Sequence, residues 1–63
     1  MQGIIETATG DLVTAGNFPS GHPYNEGTQE FRTDVPEPAY TRGEPDRTHF
    51  HRWTGSEWVL IAQ

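Results

Sequence analysis

All five prolines of this chain, at positions 19, 23, 36, 38 and 45, fall between residues 17 and 48. That distribution limits the fold more than any other feature. Proline fixes φ, has no N–H to donate and clashes with the preceding helical turn, so no helix fits this span. Gly21, Gly27 and Gly43 lie in the same span. About half of a 63-residue chain is therefore left to bends and extended backbone. Regular structure is confined to residues 1–16 and 49–63, with one short strand available at TQEFRT, residues 28–33. The stretch VPEPAY, residues 35–40, reads as extended polyproline II.

The N-terminal segment, MQGIIETATGDLVTAG, sets Ile4-Ile5 and Leu12-Val13 on either side of Ala8-Thr9-Gly10-Asp11. Glycine accepts positive φ, and Thr and Asp are common turn residues, so the segment reads as a β-hairpin. Two turns compete: a two-residue turn at Gly10-Asp11, and a type I turn with a bulge at Gly10. They put opposite sets of side chains on a given face, so the register is open by one residue.

The C-terminal segment, HFHRWTGSEWVLIAQ, reads as a second hairpin with Gly55-Ser56 in a type II′ turn. That turn sets Trp53 opposite Trp58, His51 opposite Leu60 and His49 opposite Ala62. The other face carries Phe50, Arg52, Val59 and Ile61. Both faces then hold large apolar groups, and a lone hairpin is marginal in water. Cover is needed on both sides: the first hairpin on one, a partner on the other. The expected fold is a small all-β single domain, two β-hairpins (1–16 and 49–63) joined by a long, irregular, extended arm (17–48).

A chain this short buries a small fraction of its surface and is marginal without staples or partners. It has no cysteine, and only 32% of its residues are hydrophobic. Phe18, Tyr24, Phe31, Val35 and Tyr40 are the main apolar residues of the arm. Spaced about five residues apart, they suit a strip touching a partner at intervals, held extended by proline. The net charge is −5, with four arginines, no lysine and nine carboxylates. Scattered arginines make no basic patch, so nucleic acid is not the expected partner. A neutral or basic protein surface suits this charge. The first residues lack the pattern of a secretory signal, and no run approaches a membrane span.

Little in the chain points to chemistry. His49 and His51 share a strand face and would bind zinc if a third ligand such as His22 joined them. His22 sits in a proline-flanked loop, so the better reading has His51 padding the tryptophan face and His49 in solvent. No metal or cofactor is expected. Glu44-Pro45-Asp46 is a solvated acidic patch, and Asp34, Glu37 and Glu44 lie within reach of Arg32, Arg42 or Arg47. No nucleophile–base spacing is recognisable, so the chain does not read as an enzyme.

Two stretches carry a resemblance. IIETATGDLVTAG, residues 4–16, resembles the short hairpins of bacteriophage virion proteins. HRWTGSEWVLI, residues 51–61, is similar to the Y-R-W-x-G-x-x-W-V hairpin that often closes such chains, and FRTDVPEP, residues 31–38, fits the same look. His51 stands where an aromatic is common, and the repetitive shaft of a tail fibre is lacking. The resemblance implies a non-enzymatic structural protein of a phage virion that binds and stabilises an assembled particle, as capsid decoration or cement rather than tail accessory. It implies a place in the virion, assembled in the host cytoplasm. The partner would be a phage coat or tail protein in many copies, and a homo-oligomer is compatible. The residues expected to meet the partner are Phe31, Val35, Tyr40, Phe50, Trp53, Trp58 and Leu60. W-x-G-x-x-W hairpins also occur in carbohydrate-binding modules, so a carbohydrate- or receptor-binding module is one alternative. A small acidic inhibitor of a nucleic-acid enzyme is another.

Overall fold

The computed structural model describes residues 1–63. It contains five strands and no helix: β1 (Gln2–Glu6), β2 (Leu12–Gly16), β3 (Gln29–Arg32), β4 (His49–Trp53) and β5 (Trp58–Ala62). β1 is the centre of a three-stranded antiparallel sheet in the order β2-β1-β3, and β4 and β5 form a second, two-stranded sheet. Both flanking hairpins therefore form.

The C-terminal hairpin has the register its turn requires. Trp53 faces Trp58, His51 faces Leu60 and His49 faces Ala62. The Thr54 N–H donates to the Glu57 carbonyl at 2.9 Å, enclosing Gly55 (φ +103°) and Ser56. The N-terminal hairpin is less regular. The Glu6 N–H bonds the Asp11 carbonyl (3.0 Å) and the Gly10 N–H bonds the Glu6 carbonyl (2.7 Å), so Thr7–Gly10 forms the loop and Gly10 closes it at φ +81°. Ile4 pairs with Thr14 but Ile5 with Leu12, which leaves Val13 as the extra residue of a bulge. Neither of the two competing turns is the one observed.

Ile4 and Ile5 are adjacent yet both buried, at 2% and 3% exposure. Successive side chains of a strand point to opposite faces, so the central strand is covered on both. On one face Ile5 joins Leu12 and Val35, with Trp53, Trp58, Ala15 and Ala39 packed against them. On the other, Ile4 faces Phe31 of β3, and Tyr24 stacks on Phe31 at 6.0 Å.

The span 17–48 departs from the expected extended arm. It is divided by β3, which pairs with β1 and adds a third strand to the N-terminal sheet. Residues 33–48 then return across the molecule, bending at Glu37–Pro38, whose peptide is cis. This return segment is tied to distant residues at several places. The Val35 N–H donates to the Met1 carbonyl (3.0 Å), and the Arg42 N–H to the Leu12 carbonyl (2.7 Å). The Tyr40 carbonyl accepts from the His51 N–H (2.8 Å), and the Gly43 N–H donates to Gln63 Oε1 (3.0 Å). The physical reason is the sheet edge. Met1, the outer side of β2 at Leu12 and the outer side of β4 expose backbone groups that must be paired, and the proline-rich span is the chain that pairs them.

The two sheets meet at Gly10-Asp11. The Trp53 N–H donates to the Gly10 carbonyl at 2.8 Å, and Asp11 bridges to Arg52. A Cβ built on Gly10 would lie 2.0 Å from the Trp53 carbonyl oxygen, so only glycine permits this approach.

Candidate functional site

The residues expected to meet a partner divide by burial. Val35 and Phe50 are 3% and 5% exposed. Both are interior residues of this chain: the segment 33–48 carries Val35 onto Ile5 and Leu12, and Phe50 lies buried in β4 with the Arg52 guanidinium 5.6 Å from its ring centre. Trp53 and Trp58 are half-buried, with ring centroids 5.4 Å apart, and both pack on the same cluster. Their outer cover is internal too. The Arg32 guanidinium lies 3.7 Å from the centre of a Trp53 ring, and both Glu30 and Asp34 hold it there at 2.8 Å. A sugar stacking on Trp53 would have to displace that cation. Hydrogen bonding from Arg32 also keeps the Asp34 carboxyl below its ordinary value.

The Trp58 indole N–H is buried without a hydrogen-bond partner. Asp34 feels that N–H, which helps to hold its carboxylate ionised, without reaching hydrogen-bond geometry. A buried donor with no acceptor is uncommon in a folded chain.

Phe31, Tyr40 and Leu60 remain available at the surface. Tyr40 is half-buried, stacked on His51 at 5.3 Å with the Arg47 guanidinium 4.9 Å above it. His51 is itself buried, and the Tyr40 N–H donates to its Nδ1 at 3.0 Å. Nδ1 therefore carries no proton. Burial lowers the His51 pKa below 6.5 and keeps the ring neutral. Leu60 is 54% exposed, the most exposed large apolar side chain.

Phe31 belongs to a surface that the expected set largely missed. Residues 19–28 are exposed without interruption. They fold back through two stacked pairs, Phe18 on His22 (4.6 Å) and Tyr24 on Phe31. Ser20, Gly21, His22, Pro23, Tyr24 and Phe31 line a hollow of about 430 Å³. Its signal in the sequence is the spacing Phe18-His22-Tyr24, which reads as an isolated string of aromatics until β3 brings Phe31 beside it.

The charged groups are placed for structure. Asp11 is buried and accepts from Arg52 Nε at 2.6 Å and from Arg42 at 3.1 Å, while Arg42 also pairs with Glu6. Burial pushes the Asp11 carboxyl up, but the hydrogen bonds from Arg52 and Arg42 outweigh it and leave it below 3.8. His22 and His49 are elsewhere, on Phe18 and beside Thr48, and no three His, Asp or Glu side chains converge as metal ligands would. Thr48 Oγ1 and His49 Nδ1 lie 2.9 Å apart at an exposed position. The arrangement can offer an aromatic hollow and an apolar strand edge to another macromolecule. Comparison of the chain with family models, with curated proteins and with solved structures returned no match.

Proposed function

We propose that this chain is a non-enzymatic structural protein of a phage virion, which binds and stabilises an assembled particle as a capsid decoration or cement protein. The observation that carries this reading is the aromatic hollow at His22, Pro23, Tyr24 and Phe31, presented on a run of exposed residues. Aromatic rings set at an apolar–polar boundary are the groups that dominate protein interfaces. The chain also has 28 backbone–backbone hydrogen bonds over 63 residues, where roughly 0.7 per residue is usual. Backbone groups left over in this way suit a chain that finishes its bonding on a larger surface. Of the proposed arm, residues 19–28 are exposed without interruption, and this is the part that would lie on the coat. Occupying a junction that exists only after assembly stabilises the assembled state by mass action.

The test is occupancy. Particles purified from cells that make this chain should show its 7.1 kDa band on a quantitative gel. Tyr24→Ala should lower the band at least about tenfold, the equivalent of about 1.4 kcal/mol of lost binding. Absence of the wild-type band from purified particles, or full occupancy by Tyr24→Ala, would remove the proposal.

A further inference from the structure

We propose that two copies of this chain pair edge to edge through β5, antiparallel and centred on Leu60, so that two two-stranded sheets become one of four strands. The inference rests on the strand edge alone and is independent of the virion reading.

β5 pairs only with β4. In an antiparallel ladder, facing residues alternate between pairs that exchange hydrogen bonds and pairs that do not. The bonded pairs are fixed here by the two ends of the hairpin. The Thr54 N–H donates to Glu57 at the turn, and the Gln63 N–H donates to Thr48 at the open end. Arg52 with Val59 and Phe50 with Ile61 complete the bonded set. It follows that Trp58, Leu60 and Ala62 turn their N–H and carbonyl groups away from β4. On β4 two of the three outward N–H groups are taken: His51 donates to the Tyr40 carbonyl and Trp53 to the Gly10 carbonyl. On β5 nothing in the chain takes them.

Natural proteins guard such edges with lysine, proline, inward charges or bulges. β5 reads Trp-Val-Leu-Ile-Ala, and its ladder with β4 is regular. It has none of these guards, in a chain that has no lysine at all. The same strand carries no charged residue in a molecule of net charge −5. A second copy can therefore approach here without setting carboxylate against carboxylate.

The register follows. Outward groups must face outward groups, and centring on Leu60 matches all of them. Trp58 faces Ala62 of the second copy, Leu60 faces its counterpart and Ala62 faces Trp58, each pair exchanging two bonds. Glu57 then faces Gln63. Sliding one copy in either direction leaves Trp58 or Ala62 facing the turn or nothing, and one slide sets Glu57 against Ile61. A two-fold axis through the Leu60 pair makes the contact self-complementary and closed, as in most homodimers.

Sedimentation equilibrium of the purified chain should show a mass moving from 7.1 kDa to twice that value as concentration rises. Leu60→Lys should hold it at the single-chain mass, with unchanged far-ultraviolet circular dichroism, because the Leu60 side chain is exposed. Ala62→Pro should do the same, since the Ala62 N–H plays no part in the ladder with β4. The chain has no cysteine, so Leu60→Cys tests the register cleanly. Facing Cα atoms of a bonded pair lie about 5.5 Å apart, within disulfide range, and Leu60→Cys should form a disulfide-linked dimer where Val59→Cys does not. A single-chain mass at every concentration up to about 1 mM, where only an affinity weaker than about 4 kcal/mol would escape, overturns the proposal. So does an undiminished dimer of Leu60→Lys, or cross-linking of Val59→Cys in place of Leu60→Cys.

Discussion

Residues 17–28 and 33–48 have much the same composition and different fates. Both are rich in proline, glycine and polar residues, and neither forms a strand. The first is exposed along residues 19–28, and most of its bonds are local: Gly21 to Phe18, Thr28 and Gln29 to Asn25. The second is fixed to Met1, Leu12, His51 and Gln63, places far away in sequence, and puts Val35 in the core. Composition alone would assign one behaviour to both. The difference lies in what each passes: the second runs beside strand edges whose backbone groups need partners, and the first largely does not.

That contrast can be broken most severely at Val35. Val35→Ala should cost about 2 kcal/mol, lowering the thermal midpoint by roughly 8 to 16 °C for a domain this small, and should speed hydrogen exchange at Tyr40 and Arg42. An unchanged midpoint would mean that the return segment is not part of the core.

A smaller loss should follow from Asp11→Asn, about 1 to 2 kcal/mol. Removing one partner of a fully buried pair costs about 3–5 kcal/mol, but Arg42 and Arg52 keep 40% and 36% of their side chains in water. The sign with pH is fixed by the lowered carboxyl. Its contribution is complete above the unfolded value of 3.8 and is lost as pH falls through the folded value. Wild type and Asp11→Asn should therefore differ at pH 7 and converge in acid. A constant gap across the pH range would show that the Asp11 charge is not what ties the two sheets.

His51 sharpens the comparison in a separate window. Its folded pKa is lowered, so the unfolded chain binds the proton more readily, and stability present above pH 6.5 is lost as pH falls from there toward the folded value. Protonation at Nδ1 removes the acceptor for the Tyr40 N–H. Amide exchange should accelerate at Tyr40 and at His51 between pH 7 and pH 5, after correction for intrinsic rates, while Gly21 stays fast throughout. Equal protection at Tyr40 across that range would rule out this tie. The smallest effect belongs to the first segment. Tyr24→Ala, at a position 37% exposed, should move stability by no more than about 0.5 kcal/mol, and a larger loss by chemical denaturation would give residues 17–28 a structural role equal to that of 33–48.

What could be read in the amino-acid order was local. Gly55-Ser56 fixes the parity of the C-terminal hairpin, so the Trp53–Trp58, His51–Leu60 and His49–Ala62 pairs follow from the turn. TQEFRT announced a strand at 28–33 and formed one at Gln29–Arg32, but its partner β1 lies more than twenty residues away and left no mark on it. The N-terminal register was open because Thr7, Ala8 and Thr9 are compatible with several turns, and the bulge at Val13 has no residue signature. Asp11 reaching Arg42 and Arg52 was equally hidden, since pairing across such separations depends on the fold being complete. The surface of the candidate site divides the same way. Leu60 is exposed on its strand, whereas Val35 is interior because of a segment whose path the sequence does not state.

The junction at Gly10-Asp11 also bears on time. Its partners are Arg52 and Trp53, near the far end of the chain. During synthesis the first hairpin is made early, yet its turn cannot close against β4 until Arg52 and Trp53 have emerged. Closing so long a loop carries an entropic cost that must be met before the contact gives anything back. Chains built from such distant pairings fold slowly for their size. The two sheets should thus join late in folding, after each hairpin has formed on its own.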